Sequence, residues 1–362
     1  MIKRLSILFG VVALLVSCSE TVTYQIEGKL SNLEDPIVYV VFESQTHQQI
    51  DTVECSPPGH FVVNVMEGDF QTATLYLENQ TCWLTTYLEP KKKVTITGNV
   101  EYPLLLNVKG GSPINQELGA FKKANEELLK ELTTLSKGMA SNPGDEGVYA
   151  RYANVTHEMR ERVKTFISKH SDEEASAVLI NQFLLDPDDT RLVDEALAIL
   201  DPSLQNSIYV KDLQTYSERA KATAIGAQAP EFNVTNIYGK KVALDSIAGK
   251  KLLLSFTAPW CEFCDTEDMF LDKIAASYPE EELQILLVTL DDNAKQVREV
   301  LAQDSIRWNL VADSSGQASR LVETYNVNAL PRFYLIDEEG TIILKTDNGH
   351  EIKQTLDRLS DI

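Results

Sequence analysis

The sequence predicts a multidomain fold: an N-terminal β-sandwich-like domain, a central helical segment and a C-terminal α/β domain. Three observations carry that reading. The chain has 362 residues, more than one ordinary domain requires. Its hydrophobic period changes twice, from alternation to helical spacing and then to strands interleaved with helices. Its 43% apolar and 24% charged residues give a globular profile, which excludes collagen-like, low-complexity and wholly disordered chains. Acidic residues outnumber basic ones 54 to 33, a net charge of −21. Such a surface repels phosphate backbones, so nucleic acid is not an expected partner.

Residues 1–17 read as an export signal. Lys3 and Arg4 supply a positive start, and Leu5–Val16 is an apolar stretch too short to span a bilayer comfortably. Leu15-Val16-Ser17-Cys18 resembles a bacterial lipobox, in which cleavage precedes the cysteine and its thiol takes up diacylglycerol. The alternative is a plain signal peptide with a chance cysteine. On the lipobox reading the mature chain begins at Cys18 and sheds two positive charges, taking −21 to −23. Lipidation at Cys18 then anchors it to a membrane. The expected location is the cell envelope, and Ser19 favours the outer membrane facing the periplasm. That compartment permits disulfides.

Residues 18–110 form the β-rich domain. Thr21–Gly28 alternates with period two, and Ile37–Phe42, Ile50–Cys55, Phe61–Val65, Thr72–Leu77, Trp83–Leu88 and Val94–Gly98 are further short runs rich in Val, Thr, Ile and aromatics. Pro57-Pro58-Gly59, Glu67-Gly68-Asp69 and Glu89-Pro90-Lys91 punctuate them as turns. Strands at this spacing suggest a small antiparallel sandwich. No catalytic constellation is evident in it.

Residues 111–224 form the helical segment. Ser112-Pro113 is an N-cap followed by proline at the first helical position. Leu118, Phe121, Leu128, Leu132 and Leu135 then recur at helical spacing. Further helices are expected at Asp145–His170, Glu173–Leu185, Thr190–Leu200 and Leu204–Ala222, with Asp186-Pro187 and Asp201-Pro202 as breaks. Their apolar stripes read as packing faces.

Residues 225–362 alternate strand and helix. Strands are expected at Lys251–Thr257, Ile285–Leu290, Trp308–Ala312, Phe333–Ile336 and Thr341–Lys345. Helices are expected at Cys261–Ser277, Ala294–Gln303, Ala318–Tyr325 and from Glu351 onward. Such interleaving implies a sheet with crossover connections.

The chemistry lies in Trp260-Cys261-Glu262-Phe263-Cys264, which follows a buried strand and opens a helix. That context favours a redox-active Cys-x-x-Cys. Cys261 would sit at the helix N-terminus, where unpaired N–H groups and the macrodipole stabilise a thiolate, the nucleophile of disulfide exchange. Cys264, one turn in, can attack the mixed disulfide and release the substrate. Half of a zinc site and an inert structural disulfide are the competing readings. Zinc needs four ligands, and no histidine lies between His170 and His350. No metal is expected, and no cofactor beyond the Cys261–Cys264 disulfide itself.

With those residues in place, residues 225–362 resemble the thioredoxin fold and, within it, the TlpA/ResA-like thiol-disulfide oxidoreductases of bacterial envelopes. The resemblance rests on Gly226-Ala227-Gln228-Ala229-Pro230-Glu231-Phe232, on Gly249–Phe256 with the Trp260–Cys264 motif, and on Asn328-Ala329-Leu330-Pro331-Arg332-Phe333-Tyr334-Leu335-Ile336-Asp337. Residues 20–110 are also similar to a β-domain of unknown function that often precedes such a module in envelope lipoproteins. The resemblance implies that Pro331 is a cis-proline facing the dithiol. It also implies that Trp260, Leu330 and Pro331 shape the contact with an extended substrate, and that Glu267 is a candidate proton relay. A solvated helix carboxylate is the plainer reading of Glu267.

Two departures matter. Ser255 stands where thioredoxin carries a buried aspartate, and the residues between the cysteines are Glu262-Phe263. An anion beside Cys261 disfavours its thiolate and leans the pair toward a reductant.

The function so implied is a membrane-anchored thiol-disulfide oxidoreductase reducing protein disulfides, with protein thiols and disulfides as substrates and an unidentified electron donor. Three alternatives compete. One is an envelope binding or adaptor lipoprotein that uses the fold as a scaffold. A second is a peroxiredoxin-like antioxidant, although Pro-x-x-x-Thr-x-x-Cys is missing. A third is a copper-delivery module, which would want Cys-x-x-x-Cys and a distal histidine. Cys55 and Cys82 either pair with each other or are both buried free thiols.

Overall fold

The computed structural model describes residues 24–247, 249–291, 293, 309–313 and 316–360, with the backbone alone at 262–263, 265–270 and 360. The expected signal segment, Cys18 and the expected helix Ala294–Gln303 lie outside the described residues. The chain divides into two compact units, one ending at Met159 and the other starting at Arg160.

In the first unit eight strands form two four-stranded sheets. The strands are β1 (Tyr24–Ser31), β2 (Ile37–Glu43), β3 (Gln48–Glu54), β4 (His60–Val65), β5 (Thr72–Leu77), β6 (Cys82–Tyr87), β7 (Lys93–Asn99) and β8 (Asn107–Gly110). The strand orders are β4-β1-β7-β8 and β3-β2-β5-β6. Alternation sets the faces: in β1, Tyr24, Ile26 and Leu30 are buried, and in β2, Val38, Val40 and Phe42. Both sheets feed one apolar core. The pairing is not wholly antiparallel as expected, because β1 and β7 run parallel. Parallel neighbours need a long crossover rather than a hairpin, and here β2 to β6 supply it.

Cys55 follows β3 and Cys82 opens β6, and these strands are opposite edges of one sheet. Three strand spacings hold them about 14 Å apart, beyond the reach of a disulfide. Both are free. Burial, reinforced by Asp35 at Cys55 and by Glu78 at Cys82, pushes both thiols up. Alkylation in denaturant without reductant is therefore expected to label Cys55 and Cys82 and to spare Cys261 and Cys264. Peptide mapping that finds the first two unlabelled would contradict this.

Helix α1 (Pro113–Ala124) starts where the Ser112 side chain accepts from Ile114 N. Asn115 fastens it to the sheets: its Oδ1 accepts from Tyr87 N at 3.0 Å, and its Nδ2 donates to Tyr87 O at 2.7 Å and Gly110 O at 2.9 Å. The apolar stripe from Leu118 to Leu135 does not run in one helix. Asn125 ends α1, its Nδ2 donating to Phe121 O at 2.9 Å, and α2 (Glu126–Ser141) restarts after it.

Lys122 of α1 donates to Leu106 O, and burial lowers its pKa from 10.5 to about 8. Below about pH 8 the folded state bears the whole cost of the buried charge. Between about 8 and 10.5 it sheds a proton that the unfolded chain keeps, so stability rises with pH. The stability advantage of Lys122→Met over the parent is therefore expected to shrink across that interval, as read by urea midpoints. A constant advantage would contradict it.

The second unit takes in the C-terminal part of α3 (Glu146–Lys169), then α4 (Glu174–Phe183), α5 (Arg191–Ile199) and α6 (Ile208–Ala222). A short hairpin follows, β9 (Asn233–Thr235) with β10 (Lys241–Ala243). A five-stranded sheet is built from β11 (Lys251–Thr257), β12 (Leu283–Thr289), β13 (Asn309–Ala312), β14 (Arg332–Ile336) and β15 (Ile342–Thr346), in the order β13-β12-β11-β14-β15. β11 is central, parallel to β12 and antiparallel to β14. Its residues face two cores in alternation. Leu252, Leu254 and Phe256 meet Tyr325 and Tyr334 on one side. Leu253 meets Leu271 and Ile274 of α7 (Glu262–Ser277) on the other. Helices α8 (Gln317–Thr324) and α9 (Gly349–Ser360) complete the unit. Among the described residues no helix is long and apolar enough to cross a membrane.

Candidate active site

β11 ends at Thr257, and a tight turn follows, in which Cys261 N donates to Ala258 O at 3.1 Å. Cys261 is the N-cap of α7. Cys264 lies one turn in, its N–H donating to Cys261 O at 3.0 Å. A spacing of three places both side chains on one helix face, and their sulfurs are joined in a disulfide with Cα atoms 5.3 Å apart. Cys261 is 7% exposed and Cys264 2%. Both residues are buried, and Cys261, at the helix terminus, is the more exposed of the two.

Ala258, Cys261 and Cys264 form a small apolar cluster against which Leu290 and Leu330 pack. The Leu330–Pro331 peptide bond is cis, and Pro331 leads directly into β14. The structure thus brings together Cys261, Cys264, Leu330 and the start of β14, although the last two lie far along the chain. β14 pairs beside β11, and that adjacency delivers them. Trp260 stands 71% exposed beside the disulfide. Ser255 is buried on β11 between Leu287 and Phe333. The backbone of Glu267 is in α7, but its side chain, like that of Glu262, lies outside the described residues. Among the described residues no group of three or more His, Cys, Asp or Glu side chains could hold a metal.

Sequence reasoning missed the polar residues behind the cis-proline. Arg332, the next residue, is buried, and Asn326 begins the loop with φ of 51°. A charged residue in an otherwise apolar strand run was the available signal.

The chain is 31% identical over 150 residues to the thioredoxin-like protein YneN of Bacillus subtilis, a match covering 40% of this chain and 85% of that one. The chain belongs to the thioredoxin-like family of thiol-disulfide oxidoreductases. Within that family, ResA of Bacillus cereus is 29% identical over 144 residues, spanning 40% of this chain and 81% of that relative. Residues 225–345 match the AhpC/TSA family. A solved thiol:disulfide interchange protein from a Bacteroides species is 25% identical, covers 38% of this chain and 90% of its own, and aligns with a TM-score of 0.35. In this thioredoxin-like chain the AhpC/TSA match takes in Cys261, Cys264 and Pro331.

Proposed function

We propose that the chain is an envelope thiol-disulfide oxidoreductase that reduces protein disulfides through Cys261 and Cys264. One observation carries the reading: a disulfide at the N-cap of α7, packed against the residue before a cis-proline. In the reduced protein the Cys261 thiolate attacks a substrate disulfide, forms a mixed disulfide and expels one substrate thiolate. The Cys264 thiolate then attacks Cys261 Sγ, expels the second substrate thiolate and leaves the Cys261–Cys264 disulfide. Two electrons pass from the protein to the substrate, and protons from solvent complete the two product thiols. An unidentified dithiol donor restores the pair.

Pro331 offers no N–H, so an extended substrate pairs with the backbone of Leu330 beside it. By the family resemblance Glu267 is the proton relay, and Glu267→Gln tests this through the pH profile of the rate. Cys18 is the lipid anchor, which sets the chain on the outer membrane facing the periplasm. Metabolic labelling with a radioactive fatty acid, lost in Cys18→Ala, tests that anchor.

The deciding measurement is the reduction potential of the pair, read by thiol trapping across dithiol buffers. A value near about −270 mV fits a reductase, and one near about −120 mV fits an oxidant and overturns the direction. The AhpC/TSA match over residues 225–345 favours a peroxide assay as a second reading. Turnover of peroxide faster than of peptide disulfide would shift the assignment. Full retention of the cellular phenotype in Cys261→Ser/Cys264→Ser would favour a binding scaffold.

Trp260, so widely exposed, contributes little to folding. Trp260→Ala is expected to change stability by no more than about 0.5 kcal/mol while raising KM for a peptide disulfide. An unchanged KM would remove Trp260 from the substrate contact.

A further inference from the structure

The five-stranded sheet brings four connections to one end. β11, β12 and β13 are parallel, so their last residues, Thr257, Thr289 and Ala312, lie at the same end, and β14, antiparallel to β11, begins there at Arg332. The disulfide turn, the residues after β12, those after β13 and the approach to Pro331 share that end. Their charges have one sign. Glu262, Asp265, Glu267 and Asp268 occupy the first turns of α7, Asp291 follows β12, and Asp313 follows β13. Among the described residues from Ala258 to Asp268, from Leu290 to Asn293 and from Tyr325 to Pro331 there is no lysine or arginine. Two cations border this end. Arg332 is buried, and Arg320 of α8 holds a guanidinium nitrogen against Gly316. Carboxylates outnumber them.

Asp291 is tied directly to the dithiol. Leu290, the residue before it, packs on the Ala258–Cys261–Cys264 cluster, and its N–H donates to Thr257 O at 3.1 Å. Asp291 O accepts from Asp313 N at 2.8 Å, which joins the two acidic residues at neighbouring strand ends. Its Oδ1 accepts from Asn293 N at 2.8 Å, and the residue is half-buried. Acidic residues alone name no ligand. These border a group that already needs one, a disulfide with a cis-proline beside it, and they share its end of the sheet with an indole. Trp260 is 71% exposed, and an exposed indole face attracts ammonium and guanidinium groups.

We propose that this site selects disulfides held in basic polypeptide segments, with Asp291 and Trp260 as specificity-determining residues. The proposal rests on the oxidoreductase reading above and gives it a substrate class. A lysine or arginine beside the substrate cysteine meets carboxylates and the Trp260 ring. An acidic neighbour meets like charge and is turned away. The same rejection applies to a second copy of this chain, whose net charge is −21. Attraction at a distance also speeds encounter, so the preference depends on salt.

The test uses the whole chain and two peptides of equal length that close the same disulfide, one flanked by lysines and the other by glutamates. At low salt kcat/KM is expected to be at least about tenfold higher for the lysine peptide. That ratio is expected to fall toward unity as sodium chloride is raised to about 0.5 M. Asp291→Asn keeps an oxygen that can accept from Asn293 N and removes the charge. It is expected to cut the ratio roughly threefold, the scale of one exposed ion pair. Trp260→Ala is expected to cut it by a similar factor. A merely structural defect would slow both peptides alike and leave the ratio as it was. Equal kcat/KM for the two peptides, a preference that salt does not weaken, or an unchanged ratio in Asp291→Asn would each overturn the proposal. A parent chain that reduces neither peptide would overturn the oxidoreductase reading and this inference with it. A parent that reduces both equally well would sink this inference alone.

Discussion

Cys264→Ser, mixed in reduced form with a disulfide-bonded peptide, is expected to accumulate a covalent adduct at Cys261 and to turn over no faster than background. Cys261→Ser is expected to form no adduct and to be equally inactive. The asymmetry follows from placement. Cys261 is the N-cap, next to the first-turn N–H groups, and is the more exposed of the two residues. Cys264 is inside the helix and nearly sealed. A nucleophile must reach an external disulfide, whereas a resolving thiol need only reach its neighbour. Mass spectrometry of the intact protein without reductant reads the adduct. An adduct formed by Cys261→Ser would reverse the two roles.

Phe256→Ala is expected to cost about 3–5 kcal/mol. It should lower Tm by roughly 6–20 °C, at a few degrees per kcal/mol for a unit of this size. Phe256 is fully buried on the central strand, with its ring 6.0 Å from that of Tyr325 and 6.2 Å from that of Tyr334. Truncation opens a cavity lined by aromatics that the surrounding sheet prevents from collapsing. The same strand delivers the chain to the disulfide turn, so activity should fall before global unfolding. Thermal and urea melts of the parent and variant check this, and a loss under about 1 kcal/mol would mean that the core repacks.

Parts of this fold were legible in sequence for plain physical reasons. β11 and β12 are buried on both faces and read as continuous apolar runs. α7 and its two cysteines are a local pattern, complete within a few consecutive residues. β8, β9 and β10 are too short to show any period. The break at Asn125 hides inside a stripe whose spacing continues across it, because only the carboxamide cap reveals the stop. The parallel pairing of β1 with β7 has no local signature. The separation of Cys55 from Cys82 follows from strand order, which sequence spacing does not encode. At the site, Leu330 and Pro331 were reached only through family resemblance, and Tyr216, Asn326 and Arg332 not at all. Nothing in their own neighbourhoods says that Tyr216 of α6 lies near Asn326 and Arg332.

The place of β1 in its sheet bears on how the protein takes a pull. It is flanked by β4 on one side and β7 on the other, and it begins at Tyr24. Only five residues separate it from Cys18, a leash of at most about 18 Å. On the proposed lipid anchor at Cys18, drag between membrane and partner would run along an interior strand. Its ladder bonds on both sides then resist together in shear, whereas an edge strand would peel away one bond at a time. On that proposal the domain would serve as a mechanical footing, one that stays folded under tension.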